Sequence, residues 1–123
     1  MKELKIVIAE DSEVLSDLLT RVLSKVQGFR VAGVAADGVA ALSLVRMLSP
    51  HVLILDGWLP LKSGIEVLEE IRAEDSSIVV IIFTADPSPI IRKVCLEAGA
   101  NYFLDKSQIG VLIEICTLHL MAL

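Results

Sequence analysis

The side chains able to do chemistry fall at the ends of apolar runs. Asp56 follows Val52-Leu53-Ile54-Leu55, the unbroken apolar pattern of a strand buried on both faces, so its carboxylate stands at the strand's C-terminal tip. Glu10-Asp11 follow the run LKIVIA, Thr84 follows IVVIIF, and Asp105-Lys106 follow Tyr102-Phe103-Leu104. Each has a local explanation: Asp56 can cap its loop, Asp11 or Ser12 can cap a helix, Thr84 can fill a strand and Lys106 can be a solvated charge. Their common placement at strand ends argues for one site, because in a parallel sheet these ends share an edge and ligands bind in the crevice beyond it. Glu10, Asp11 and Asp56 gathered there repel one another unless a cation is present. With carboxylates and backbone carbonyls as donors, and no His or Cys, the cation that fits is Mg²⁺, which keeps waters and takes a phosphate oxygen. Lys106 supplies a point charge for phosphate and Thr84 a hydroxyl donor.

Strand and helix signals alternate along the chain and place these tips together. Residues 4–9 read as a first strand, and Val14, Leu15, Leu18, Leu19, Val22 and Leu23 repeat at helical spacing after it. Gly28 ends that helix, residues 29–35 form a second strand, and Asp37-Gly38 lead into a helix stopped by Ser49-Pro50. Pro60 and Gly64 mark a turn after Asp56, and residues 65–72 follow as an amphipathic helix. Residues 78–83, the strongest β-branched run, are expected to form a central strand. A loop with Pro87 and Pro89, a helix over 90–98 ended by Gly99, a short strand over 102–104 and a helix over 109–120 complete the pattern. Five such units joined by short loops predict right-handed crossovers, a parallel sheet and helices on both faces.

The 123 residues suit a single domain over 1–123, and a hydrophobic content of 54% supplies a sizeable core. A net charge of −5, with the 11 Lys and Arg scattered, argues against direct nucleic-acid contact. No apolar run approaches the roughly 20 residues that span a bilayer, and the N-terminus lacks a signal peptide's apolar segment, so a cytoplasmic chain without membrane contact is expected. Cys95 and Cys116 read as buried reduced thiols, and His51 and His119 as ordinary helix-end or surface histidines.

From Lys5 to about Leu120 the chain closely resembles the receiver domain of two-component response regulators. The motifs are the acidic pair Glu10-Asp11, LILDGWLP with Pro60 four residues and Gly64 eight residues after Asp56, FTA ending in Ala85, and GANYFLDK with an aromatic three residues before the lysine. The resemblance implies a flavodoxin-like (βα)5 doubly wound parallel sheet of strand order 2-1-3-4-5. It further implies phosphoryl transfer to Asp56 from a histidine kinase or phosphotransfer protein, with Mg²⁺ held by Glu10, Asp11, Asp56 and the backbone carbonyl of Trp58. Thr84 and Lys106 would bind the phosphoryl group, Phe103 would be the aromatic that changes orientation with it, and a downstream protein or effector domain would receive the signal. Such a domain is a regulator, catalysing only its own phosphoryl transfer and dephosphorylation. Phosphorylation adds about −1.5 to −2 charge and three acceptor oxygens. Thr84 and Lys106 can follow these only by moving their loops inward, a local electrostatic event that biases a two-state element.

Several residues depart from the family's pattern. Ser107 follows the lysine where many receivers have proline, which puts the usual cis peptide in question, and the acid pair is Glu-Asp rather than Asp-Asp. Trp58 and Asp86 stand at the flanking positions where family members tune the phosphoryl lifetime. Pro87 and Pro89 stiffen the loop after the fourth strand. An Asp-nucleophile small-molecule phosphatase is the alternative, but its pattern needs a second Asp where Trp58 stands, and those enzymes usually carry a cap domain. A flavodoxin-like nucleotide or flavin binder needs a phosphate cradle where Glu10-Asp11 would repel the ligand. The last helix holds too many apolar residues for one buried stripe, so part of it is expected to face outward as an interface, with the fourth helix and fifth strand, for a partner or a second copy.

Overall fold

The computed structural model describes residues 2–74 and 76–123. Its elements are β1 (Leu4–Ala9), α1 (Glu13–Ser24), β2 (Phe29–Ala35), α2 (Gly38–Leu48), β3 (Val52–Leu55), α3 (Gly64–Ala73), β4 (Val79–Thr84), α4 (Pro89–Glu97), β5 (Tyr102–Asp105) and α5 (Ile109–Met121). The five strands form one parallel sheet in the order 2-1-3-4-5. That is the flavodoxin-like, doubly wound fold expected from the alternating pattern.

The near-continuous apolar strands follow from burial on both faces. Successive side chains alternate between two cores. Val7, Leu53, Leu55, Val80 and Ile82 pack with Leu42 and Val45 of α2, Val67, Leu68 and Ile71 of α3, and Cys95 of α4. Ile6, Ile8, Ile54, Ile81 and Phe83 face the other way, against Leu19 and Leu23 of α1 and Leu112, Ile115 and Cys116 of α5. Both cysteines are therefore buried free thiols. Burial pushes Cys116 up to about 12 and raises Cys95, so neither is a reactive thiolate at neutral pH.

Four helices start at a side-chain cap, which fixes where each loop at the site must end. Ser12, Asp37, Ser63 and Ser88 accept from the backbone N–H groups of Leu15, Ala40, Glu66 and Ile91. Glu66 returns the bond to the Ser63 N–H in a full capping box, and Pro89 occupies the first turn of α4.

Element ends differ slightly from those the sequence suggested, for identifiable reasons. Ile78 stays out of β4 because Arg72 of α3 donates to its carbonyl at 3.0 Å, and its N–H meets Ser76 Oγ. The same guanidinium donates to the carbonyls of Ser76 and Gly99 and to Asn101 Oδ1, tying α3 to both flanking loops. At the other end Thr84 pairs with Asp105, drawing both residues into the ladder. His119, expected to be an ordinary surface or helix-end histidine, meets the Tyr102 hydroxyl at 3.0 Å and joins α5 to β5.

The loop after β3 is wedged between two glycines. A Cβ on Gly38 would lie 1.8 Å from the Lys62 carbonyl oxygen, and one on Gly64 would lie 2.3 Å from that of Asp56. Gly38 N–H also donates to the Pro60 carbonyl at 3.1 Å. Gly38→Ala forces backbone against backbone, and the expected loss is about 2–3 kcal/mol of unfolding free energy, at the upper end of overpacking costs. Urea denaturation of the two proteins checks it.

Candidate functional site

The site forms because β1, β3, β4 and β5 all end at one edge. Asp56 N–H donates to the Ala9 carbonyl at 3.0 Å and Lys106 N–H to the Thr84 carbonyl at 2.9 Å, so the residues just past the strands remain in register. Glu10 and Asp56 are buried, with side chains only 2% and 5% exposed, while Asp11 is exposed. One oxygen from each of these three acids lies within 4.8 Å of the others. Burying carboxylates side by side requires compensation. Lys106 provides it: its ammonium lies 2.8 Å from Glu10 Oε1 and 3.1 Å from Asp56 Oδ2.

The remaining carboxylate oxygens meet backbone donors. Glu10 Oε2 accepts from Ser12 N–H at 2.9 Å, and Asp56 Oδ1 accepts from Trp58 N–H at 3.0 Å. Burial pushes the Glu10 carboxyl up; the bonds from Lys106 and Ser12 work against this, the Asp56 charge adds to it, and the net direction is upward. For Lys106, burial pulls downward, but the bonds and charges of Glu10 and Asp56 outweigh it and hold the ammonium above its ordinary value. Lys106 is a firm cation at neutral pH.

Thr84 is fully buried at the tip of β4, and its hydroxyl oxygen accepts from Asp86 N–H at 3.1 Å. Asp86 in turn accepts from Ser88 N–H, so these two bonds hold the β4–α4 turn. Phe103, paired with Ile82, is half-buried against the core under α2, α3 and α4. Trp58 is 60% exposed beside Asp56. Asp105, although at a strand tip, turns away from the acids and accepts from the N–H and hydroxyl of Ser107. Those bonds hold its carboxyl below the usual range. No peptide among the described residues is cis, including Lys106–Ser107.

Glu10, Asp11, Asp56 and Lys106 thus come together as the sequence suggested, with Thr84 at the adjoining strand tip. The contact the sequence reading missed is Glu10–Lys106; its only signal was the longer arm of a glutamate in the acid pair. Hard oxygen donors grouped this closely, with no nitrogen or sulfur ligand, match a divalent cation of the Mg²⁺ kind.

A doubly wound parallel sheet with acids and Lys106 at its carboxyl edge defines the flavodoxin-like class of fold. Residues 6–116 match the family described as "Response regulator receiver domain", and the chain belongs to that family. It is 35% identical over 105 residues to a protein-glutamate methylesterase/protein-glutamine glutaminase of Anaeromyxobacter dehalogenans, covering 85% of this chain and 30% of that protein. It is 31% identical over 103 residues to the transcriptional regulatory protein MalR of Bacillus subtilis, covering 84% and 44%. A DNA-binding response regulator of the LuxR family from Staphylococcus aureus superposes with a TM-score of 0.89 at 27% identity, covering 95% of this chain and 98% of that one. The chain spans about a third to a half of the length of these curated relatives. What it shares with the enzyme and the transcription regulator alike is the regulatory receiver unit. Among the described residues no helix is long and apolar enough to cross a membrane.

Removing the shared cation exposes the repulsion it offsets. Lys106→Met is expected to cost about 2 kcal/mol at pH 7, less than the roughly 3–5 of a fully buried pair because the lysine side chain is 24% exposed. Without the ammonium, whose bond and charge lower it, the Glu10 carboxyl rises further. A raised carboxyl costs stability above its folded-state value and none below its unfolded one. The deficit is therefore largest near neutrality and shrinks as pH falls through the carboxylate range toward 4.5, as urea titrations of both proteins at several pH values will show.

Proposed function

We propose that the chain is a phosphorylation-dependent switch whose acceptor is Asp56. The observation that carries the reading is the buried Asp56 carboxylate held 3.1 Å from Lys106, beside Glu10 and Asp11 and next to the Thr84 strand tip. An Asp56 oxygen attacks the phosphorus of a phosphohistidine on a histidine kinase or phosphotransfer protein, and the P–N bond breaks with its electron pair going to the imidazole. Glu10, Asp11, Asp56 and the Trp58 carbonyl are the oxygens that would hold Mg²⁺, which when bound neutralises charge on the transferring phosphoryl group. Lys106 meets one phosphoryl oxygen as a point charge, and the Thr84 hydroxyl donates to another. Thr84 can donate while still accepting from Asp86 N–H, so its movement draws the β4–α4 turn with it. Phe103, one strand over from Ile82, is the aromatic placed to follow that movement. Trp58, exposed beside the acceptor, limits the approach of water.

The output face in this reading is α4-β5-α5. Ile90 and Val94 on α4, and Val111, Leu118 and Met121 on α5, are exposed, in keeping with the apolar excess of the last helix. Exposed apolar surface of this kind marks contacts with a downstream protein, an effector domain or a second copy. Action in the cytoplasm, as a regulator without direct nucleic-acid contact, belongs to the same proposal.

Incubation with acetyl phosphate and Mg²⁺ is expected to add one phosphoryl group by intact mass. Chelation and Asp56→Asn each abolish the addition; label mapped to another residue in the Asn variant would overturn the acceptor assignment. For the output face, beryllofluoride, which mimics the phosphoryl group, is expected to raise the sedimentation mass or the partner affinity of the native chain. Leu118→Glu is expected to cancel that response, and identical behaviour with and without beryllofluoride removes the face from the mechanism.

A further inference from the structure

The sheet ends at β2, which among the described residues pairs with β1 alone and leaves its other edge open. Leu4 N–H donates to the Gly28 carbonyl and Glu10 N–H to that of Ala35, so Gly28 and Ala35 turn their backbone polar groups toward β1. Alternation from these two ends turns the backbone groups of Phe29, Val31 and Val34 away from β1. Edge strands usually carry charge that keeps other strands off. This one does not: between Arg30 and Arg46 the single charged residue is Asp37. Val34 is 45% exposed, and Val31, Ala32 and Gly33 are half-buried. The flank of α2 continues the same surface. Leu44 and Leu48 reach over Gly33, where a Cβ would meet each at 3.2 Å, yet both are only half-buried, and Met47 beside them is 73% exposed.

We propose that β2 pairs antiparallel with β2 of a second copy of this chain, joining the two sheets across a two-fold axis between Ala32 and Gly33. Side-chain facing sets that register. The β1–β2 ladder slips by one residue between Ile6 and Val7, which changes which β2 side chains share a face. Phe29 and Val31 lie on the side of α1 and α5 and Ala35 on the side of α2 and α3, so alternation groups Val34 with Val31 and Arg30 with Ala35. Opposed residues of an antiparallel pair share a face, which sets Val31 against Val34 of the other copy and Arg30 against Ala35. The same register brings the outward backbone groups of Val31 and Val34 together, and each copy carries its slip where the other does. Charge then fits as well. Asp37, extended at φ −148° and ψ 167°, continues the strand line two residues past Ala35, diagonal to Arg30 of the other copy and within reach of its side chain. Arg30 can turn there, because its pair with Glu3 is a 3.4 Å contact on the open surface. Asp37 keeps Oδ1 for the Ala40 N–H and offers its other oxygen. The contact consumes the β2 edge of each copy, so it closes at two. It lies across the sheet from β5, makes no use of Asp56 and stands apart from the phospho-acceptor reading.

Sedimentation equilibrium of the native chain, unphosphorylated and without beryllofluoride, is expected to show the apparent mass doubling as concentration rises. Val34→Lys puts a charge on the open edge and is expected to weaken association by about tenfold. Arg30→Glu, which sets like charges at both ends of the contact, is expected to weaken it by about fivefold. Leu118→Glu, on the α4-β5-α5 face, is expected to leave it unchanged. Amide hydrogen exchange reads the same contact with no substitution at all: Val31 and Val34 are expected to gain about tenfold in protection between dilute and concentrated samples. Association that Leu118→Glu cancels and Val34→Lys leaves untouched overturns the proposal. A chain that stays monomeric at every concentration, with Val31 and Val34 exchanging freely, overturns it too, and the open edge would then be a place for another protein's strand.

Discussion

Carboxylates gathered in a shielded crevice repel one another, and much of the functional edge answers to that repulsion. Parallel strands deliver Glu10 and Asp56 to the same edge because β1 and β3 are neighbours in register, with Ala9 opposite Leu55. The sheet cannot form without bringing the two acids together. Three kinds of positive charge relieve them: backbone N–H groups of Ser12 and Trp58, the Lys106 ammonium, and the divalent cation that the oxygen cluster suits. The first kind is permanent and the other two are exchangeable.

The fold was legible because its signals were redundant. Each strand was an apolar run, each loop carried a Ser, Asp, Gly or Pro with a defined task, and four helices begin where a capping side chain stands. Strand ends were misjudged by a residue because the sequence does not say which backbone groups a distant side chain will claim. Arg72, twenty-seven positions before Gly99, takes the carbonyls that would otherwise continue β4.

The site was legible for a related reason: acids and a lysine at strand tips are unusual, and the parallel topology leaves them nowhere else to meet. Details that depend on side-chain reach were not. Asp105 stands at the β5 tip beside Lys106, and Ser107 two residues on offers a hydroxyl and an N–H that turn it aside. Glu10 looked like one metal arm among three, and its extra methylene is what brings it to Lys106. Tyr102 and His119 gave no sequence signal as a pair, since nothing short of the packing of α5 on β5 puts them in contact.

The glycine wedges around the loop after β3 bear on the direction in which strain can spread. On that side of Asp56 the chain is backbone pressed on backbone: α2 begins against the Lys62 carbonyl, and α3 begins against that of Asp56 itself. Such contacts have no rotamers to absorb a push. Across the crevice, Thr84 and Lys106 are joined to their surroundings by side-chain hydrogen bonds, which can be traded one for another. Asp56 therefore sits between an anvil and a hinge. In the proposed phosphoryl transfer, added volume and charge on Asp56 would meet a stiff wall behind them and a yielding one in front, so the geometry of the resting fold would select which half of the molecule registers the event.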